Sequence, residues 1–137
     1  MIDVRPMPAV TELSEPYWSG TRRGELMLQH CVDCENPQFP PEVSCTHCGS
    51  ASLNWQRASG RARLYSWTIA HPPLLPYFAA RAPWPVVAVE LEEGVRMVSQ
   101  LVGLEVEDYE FDMPLVADFE KVDEEVTLVV FRPAESK

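Results

Sequence analysis

Short stretches in which apolar and polar residues alternate run through most of this chain. From Glu25 to His30, Leu26 and Leu28 alternate with Met27 and Gln29, the two-residue period of a strand. Leu53 to Arg57, with Trp55 inside it, reads as a second strand. After Ser59-Gly60 the sequence becomes β-rich. Arg61 to Ala70 places Ala62, Leu64, Ser66 and Thr68 on one face and Arg63, Tyr65, Trp67 and Ile69 on the other. Pro85 to Leu91 holds the nearly unbroken apolar run Val86-Val87-Ala88-Val89, expected of a strand covered on both faces. Glu92-Glu93-Gly94 supplies a hairpin turn, and Val95 to Leu101 returns as the next strand. One helical turn is expected at Glu105 to Tyr109, then strands at Met113 to Phe119 and, after the acidic turn Asp123-Glu124-Glu125, at Val126 to Phe131. Five short strands with a brief helical turn between the third and fourth predict an OB-fold Greek-key barrel. A small β-sandwich fits the same strand count.

Ahead of these strands, Met1 to Val10 carries Pro6 and Pro8 and reads as an extended arm. Thr11 or Ser14 is placed to cap a short helix that opens with Glu15 and Pro16, contains Tyr17 and Trp18, and is limited by Gly20 and Gly24. Trp18 serves either as an anchor on its own domain or as part of an arm reaching a partner.

Four cysteines sharpen the picture. Cys31, Cys34, Cys45 and Cys48 form a C-x2-C-x10-C-x2-C array, two knuckles able to bring four sulfurs to one ion at about 2.3 Å each. Cys48-Gly49-Ser50 has the small residue that lets a knuckle turn under the metal, whereas the first knuckle has Glu35 there. Four protein ligands leave no open position for water or substrate, so the expected ion is a structural zinc. Disulfides and a rubredoxin-like iron site are the alternatives. No charged-then-apolar secretion signal and no membrane-length apolar run is present, so a reducing cytoplasm, which favours thiolate over disulfide, is the expected setting. His30 and His47 flank the ligands and could substitute for one in a distorted site, but the favoured reading is that they are surface residues.

The expected architecture is therefore mainly β: an N-terminal arm and short helix over 1–24, a rubredoxin-like zinc ribbon over 25–59, and a five-stranded OB-fold barrel over 60–137. At 137 residues, 46% hydrophobic, the chain suits one compact domain or a metal-stapled module beside another. Eleven basic and 21 acidic residues give a net charge of −10, with seven basic against fourteen acidic side chains from residue 60 onward. Such a field repels polyanions, which argues against the single-strand nucleic-acid binding that OB folds often host.

His71 to Pro85 is a fifteen-residue segment with proline at 72, 73, 76, 83 and 85 and with apolar Leu74, Leu75, Phe78 and Trp84. Stiff, apolar loops of this length read as contact surfaces for a protein or apolar ligand, or else as a lid on the core. No Gly-x-Ser-x-Gly elbow, phosphate loop or dinucleotide fingerprint accompanies it, and Glu92 and Glu93 sit on a turn as solvated charge. The chain is expected to catalyse nothing alone.

Trp18, Gly24 to Cys31, the four cysteines with Pro41 between them, Trp55, Ser59-Gly60, Tyr65-Ser66-Trp67-Thr68, Pro83 to Arg96, Gly103, Met113-Pro114 and Phe131-Arg132-Pro133 occur in an order that resembles one known family. It is the bacterial and archaeal family of zinc-ribbon plus OB-fold proteins long catalogued as a domain of unknown function. Asp112 stands where that family often has glycine, and Gly60-Arg61-Ala62 where it often has Gly-x-Gly. The resemblance implies a non-catalytic accessory subunit of a thiolase-like or aldolase enzyme. Such a subunit binds its partner and helps hold or channel acyl-CoA, in lipid or steroid side-chain degradation among other settings. On that reading Arg61, Arg63, Arg81 and Arg96 are candidates for the coenzyme phosphates. Tyr77, Phe78 and Trp84 are candidates for the acyl path, with Trp18 as a further contact. Neither nucleic acid nor membrane is an expected partner.

Overall fold

A computed structural model describes residues 5–134, so the first four residues of the expected arm and the last three of the chain lie outside it. Helix α1 (Glu15–Arg22) is followed by strands β1 (Met27–Cys31), β2 (Pro37–Gln38) and β3 (Leu53–Arg57). Then come β4 (Arg61–Ala70), the single-turn helix α2 (Pro76–Ala79), β5 (Trp84–Leu91) and β6 (Arg96–Ser99). A 3-10 turn at Val106–Asp108, β7 (Pro114–Lys121) and β8 (Thr127–Pro133) complete the chain.

Two antiparallel sheets result, ordered β2-β1-β3 and β6-β5-β4-β7-β8. The larger sheet curls into a half-barrel whose edges meet at a parallel bridge between Leu101 and Phe131. There Val102 N–H donates to the Phe131 carbonyl at 2.8 Å, and Phe131 N–H donates to the Gln100 carbonyl at 2.8 Å. The first expected strand lies centrally and the third meets the fifth in parallel, the connectivity of the OB barrel rather than of a sandwich.

Both sheets share one core. Leu64, Val87, Val89, Leu91, Leu115 and Phe131 fill the barrel, while Tyr17 of α1 and Leu26, Leu28 and Ala58 of the ribbon base join the same buried cluster. The ribbon is thus rooted in the barrel by its apolar base, and α1 closes the corner between them. At Gly20 a β-carbon would collide with Met27 Cγ and come within 3.0 Å of the Glu25 carbonyl, so the helix crosses β1 at a distance only glycine permits.

Three local expectations are corrected. Ser14 does not cap α1 through its side chain; its carbonyl accepts from Tyr17 and Trp18 N–H at 3.0 and 3.2 Å. The Thr11 and Ser14 hydroxyls instead each accept the other's backbone N–H, at 3.2 and 3.1 Å, closing the preceding turn. Strict alternation also fails in β4. A bulge between Leu64 and Ser66 shifts the register, so that Trp67 packs against the core with Ala62 and Leu64. Finally, β5 buries Val87, Val89 and Leu91 on one face only. Its other face, with Val86 and Ala88 beside Val98 of β6, is open, and Val98 is 70% exposed.

Candidate metal centre and aromatic groove

At the far end of the ribbon, β1 runs directly into Cys31 and the chain turns back at Cys34, while the 39–50 segment carries Cys45 and Cys48. The four sulfurs all lie within 4.8 Å of one another, with Cys31–Cys48 and Cys34–Cys45 at 3.6 Å. A tetrahedron with bonds of about 2.3 Å has edges of about 3.8 Å, so the donor set fits one tetrathiolate zinc. Backbone and side-chain donors are already aimed at the sulfurs. Cys34 N–H reaches Cys31 Sγ at 3.4 Å, His47 and Cys48 N–H both reach Cys45 Sγ at 3.3 Å, and Asn36 Nδ2 reaches Cys34 Sγ at 3.4 Å.

These bonds stabilise negative sulfur. The Cys48 N–H, aided by that of His47, brings the Cys45 thiol down to about 6, and the Cys34 N–H lowers Cys31. A Ser50 N–H favours the Cys48 thiolate too, yet the adjacent Cys31 sulfur, burial and the other two sulfurs push Cys48 up to about 12. Four anionic sulfurs this close repel one another, and a dication at their centre removes the conflict. Zinc bound there would cross-link the two knuckles, all four ligands coming from protein.

A second feature lies where ribbon, barrel and the proline-rich segment meet. A groove of about 310 Å3 is lined by Arg5, Tyr17, Trp18, Phe39, Phe78, Trp84 and Val86, with Val98, Ser99, Gln100 and Leu128 to Val130 at the barrel seam. The aromatic rings pack edge to face: Tyr17 on Trp18 at 4.9 Å, Phe78 on Trp84 at 4.9 Å and Tyr77 on Phe78 at 5.2 Å. Two guanidinium groups attend Tyr77, Arg81 at 3.7 Å and Arg5 at 5.3 Å from its ring centre, and Arg5 Nη1 donates to the tyrosine hydroxyl at 3.3 Å.

The structure therefore brings Trp18, Tyr77, Phe78, Arg81 and Trp84 into one neighbourhood. Trp84 belongs to β5, paired with Ala70 across the sheet, and α2 presents Tyr77 and Phe78, so regular structure occupies part of the expected loop. Arg61, Arg63 and Arg96 lie elsewhere. Arg61 pairs with Glu92 at 2.6 Å, and their bond lowers the carboxyl and raises the guanidinium. Arg63 pairs with Glu90 at 2.6 Å and Asp112 at 2.5 Å, while Arg96 stacks on Tyr65 at 3.9 Å. Sequence reasoning did not single out Arg5, Phe39 or Val98. For Arg5 and Phe39 the advance signal was an arginine or aromatic side chain beside a proline in an irregular segment, and Val98, inside an expected strand, carried none.

Residues 18–54 match the ChsH2 rubredoxin-like zinc ribbon domain, and residues 55–120 match the ChsH2 C-terminal OB-fold domain. A DUF35 domain-containing scaffold protein of Methanothermobacter thermautotrophicus is 33% identical over 117 residues, 85% of this chain and 87% of that protein. The chain belongs to the DUF35 family. A probable enoyl-CoA hydratase alpha subunit of Thermomonospora curvata is 38% identical over 96% of this DUF35 chain, which spans only 40% of that protein's length. Among solved structures, the Ltp2-ChsH2(DUF35) aldolase matches with a TM-score of 0.81 and 37% identity, covering 93% of this chain and 98% of that one. The expected zinc ribbon and OB fold are both present, and among the described residues no helix is long and apolar enough to cross a membrane.

Proposed function

We propose that this DUF35 chain is a non-catalytic accessory subunit of a thiolase-like or aldolase enzyme, gripping that enzyme and helping to hold its acyl-CoA, within a reducing cytoplasm. The observation that carries the reading is the aromatic groove with Arg5 and Arg81 at its tyrosine edge. Apolar walls suit an acyl or pantetheine chain, and cations at the rim suit its phosphates. The names of the relatives, an enoyl-CoA hydratase subunit, a scaffold protein and an aldolase complex, support an acyl-CoA setting. On this reading residues 1–24, 25–59 and 60–137 act as arm, ribbon and barrel, and the catalytic groups belong to the partner.

The thiols are gathered in one cage, His30 and His47 sit beside it, and His71 is exposed at the end of β4. Among the described residues such a distribution pairs no cysteine with a histidine base outside the cage. Among the described residues, the pairing of Arg61 and Arg63 with carboxylates argues against a basic track of the kind that holds a nucleic-acid backbone. Co-expression of the tagged chain with a thiolase-like enzyme, followed by size measurement and acyl-CoA titration, tests the proposal. Co-elution with tighter acyl-CoA retention than by the enzyme alone is expected. Turnover by the lone chain, or failure to associate with any thiolase-like enzyme encoded beside it, would sink the reading.

A further inference from the structure

Two buried glutamines stand next to the metal centre without touching a sulfur. Gln29 of β1 and Gln38 of β2 face each other in the ladder and are only 4% and 7% exposed. Burying two amides is costly unless every polar atom is satisfied, and here each one is. Gln38 Nε2 donates to Gln29 Oε1 at 2.8 Å, joining the pair. Gln29 then brackets one residue of the facing segment, accepting Glu42 N–H at 2.8 Å and donating to the Glu42 carbonyl at 3.0 Å. Gln38 donates to the Ser44 carbonyl at 3.3 Å and accepts from Thr46 N–H and Oγ1 at 2.9 and 3.2 Å.

The residues held in this way are 42, 44 and 46, alternate positions of a segment that forms no strand. Two side-chain amides take the place of the missing neighbour, satisfying the backbone that a strand partner would otherwise satisfy. Cys45 lies inside the held segment, with Cys48 just beyond it. Its own N–H donates to the Ser50 carbonyl at 2.7 Å, which fixes the knuckle against the anchored part of the loop.

We propose that the Gln29–Gln38 pair is the positioning device of the metal centre, holding segment 42–46 on β1 and β2 so that Cys45 and Cys48 meet the first knuckle in ligating geometry. The bonds run between protein groups alone, so the anchor persists when the ion is removed. Groups outside the ligand set that orient ligands typically change metal affinity by about 10- to 100-fold when mutated.

Competition of the purified full chain with a chromophoric chelator reads zinc affinity directly. Gln38→Met and Gln29→Met keep length and apolar bulk while removing the amide bonds. Each is expected to weaken zinc binding by about tenfold or more. Val89→Ala, in barrel strand β5 and outside the amide network, is the control for general loss of stability and should stay within about twofold, because it removes no bond to segment 42–46. A second reading needs no variant: in zinc-stripped wild-type chain the Glu42 and Thr46 amides should exchange more slowly than those of the knuckle tips. The proposal is overturned if the methionine variants hold zinc as wild type does or lose no more affinity than Val89→Ala. Should the variants not fold, exchange at Glu42 and Thr46 as fast as at the knuckle tips in stripped wild type overturns it equally.

Discussion

Glu35 and Asp112 are the described non-glycine residues with left-handed backbone, both at φ 65°. Glu35 closes the first knuckle, while the equivalent place in the second is Gly49 at φ 83°. A β-carbon in that region costs about 1–2 kcal/mol, partly offset because glycine loses more entropy on folding. Glu35→Gly should therefore raise stability by up to about 1 kcal/mol, seen as a higher urea midpoint in the zinc-loaded protein. Asp112→Gly should gain far less, because aspartate tolerates this backbone better and its carboxylate pairs with Arg63 at 2.5 Å. Tyr17 makes a separate prediction about pH. Burial raises its folded pKa above the usual tyrosine value near 10, since a phenolate in the core is poorly solvated. The unfolded chain loses this proton first, so stability is full below about pH 10 and declines as pH rises from there through the folded value. Urea midpoints measured from pH 8 to 11 should fall more steeply for wild type than for Tyr17→Phe.

Among elements, the ribbon and the barrel differ in what holds them. β2 is two residues long, and the knuckle turns rest on the cysteine cage, whereas Leu26, Leu28 and Ala58 at the ribbon base belong to the barrel core. Removing zinc should thus loosen the chain locally. Hydrogen exchange in the presence of a strong chelator is expected to lose protection at the knuckle tips, residues 32–36 and 47–50, while β4 and β5 keep theirs within a few-fold. Uniform loss through the barrel would mean that the metal supports the whole fold. Much of this arrangement was legible beforehand. Ligand spacing marks the cage because two-residue gaps bring two sulfurs to one ion, and the alternation of Arg61 to Ala70, the apolar run of Pro85 to Leu91 and the turns after them mark the barrel strands. The bulge in β4 was not legible: nothing in Leu64-Tyr65-Ser66 announces an extra residue, and its effect on Trp67 appears only against the paired strand. The open face of β5 was misjudged for a related reason. Val86 and Ala88 look like core by composition, but apolar residues are also common on exposed sheet faces.

At the scale of the molecule, the groove unites the irregular start, α1, the segment between the knuckles, α2 and β5, which no local pattern relates. The sequence offered Arg61 and Arg63 as candidates alongside the groove aromatics, and only the register shows where they lie: Arg63 stands directly opposite Glu90, and Arg61 reaches Glu92 just beyond the strand. Both arginines are thereby held on the far side of the barrel from the groove aromatics. A sorting of variants follows from this. Phe78 and Trp84 are half-buried groove aromatics outside the buried core, so their removal should leave the fold intact while stripping the walls a ligand or partner would touch. Large aromatics at the centre of an interface commonly account for 2 kcal/mol or more of binding. If the proposed function holds, Phe78→Ala and Trp84→Ala should accordingly weaken association with the proposed partner enzyme, or acyl-CoA retention by that complex, by about tenfold or more. Arg61→Ala, whose cost is confined to an exposed pair with Glu92, should change either by less than about twofold. Titration of the complex with acyl-CoA, with thermal midpoints confirming folding, distinguishes the two groups. If Arg61→Ala were the damaging change and the aromatic variants neutral, the contact surface would lie on the Arg61–Arg63 side of the barrel.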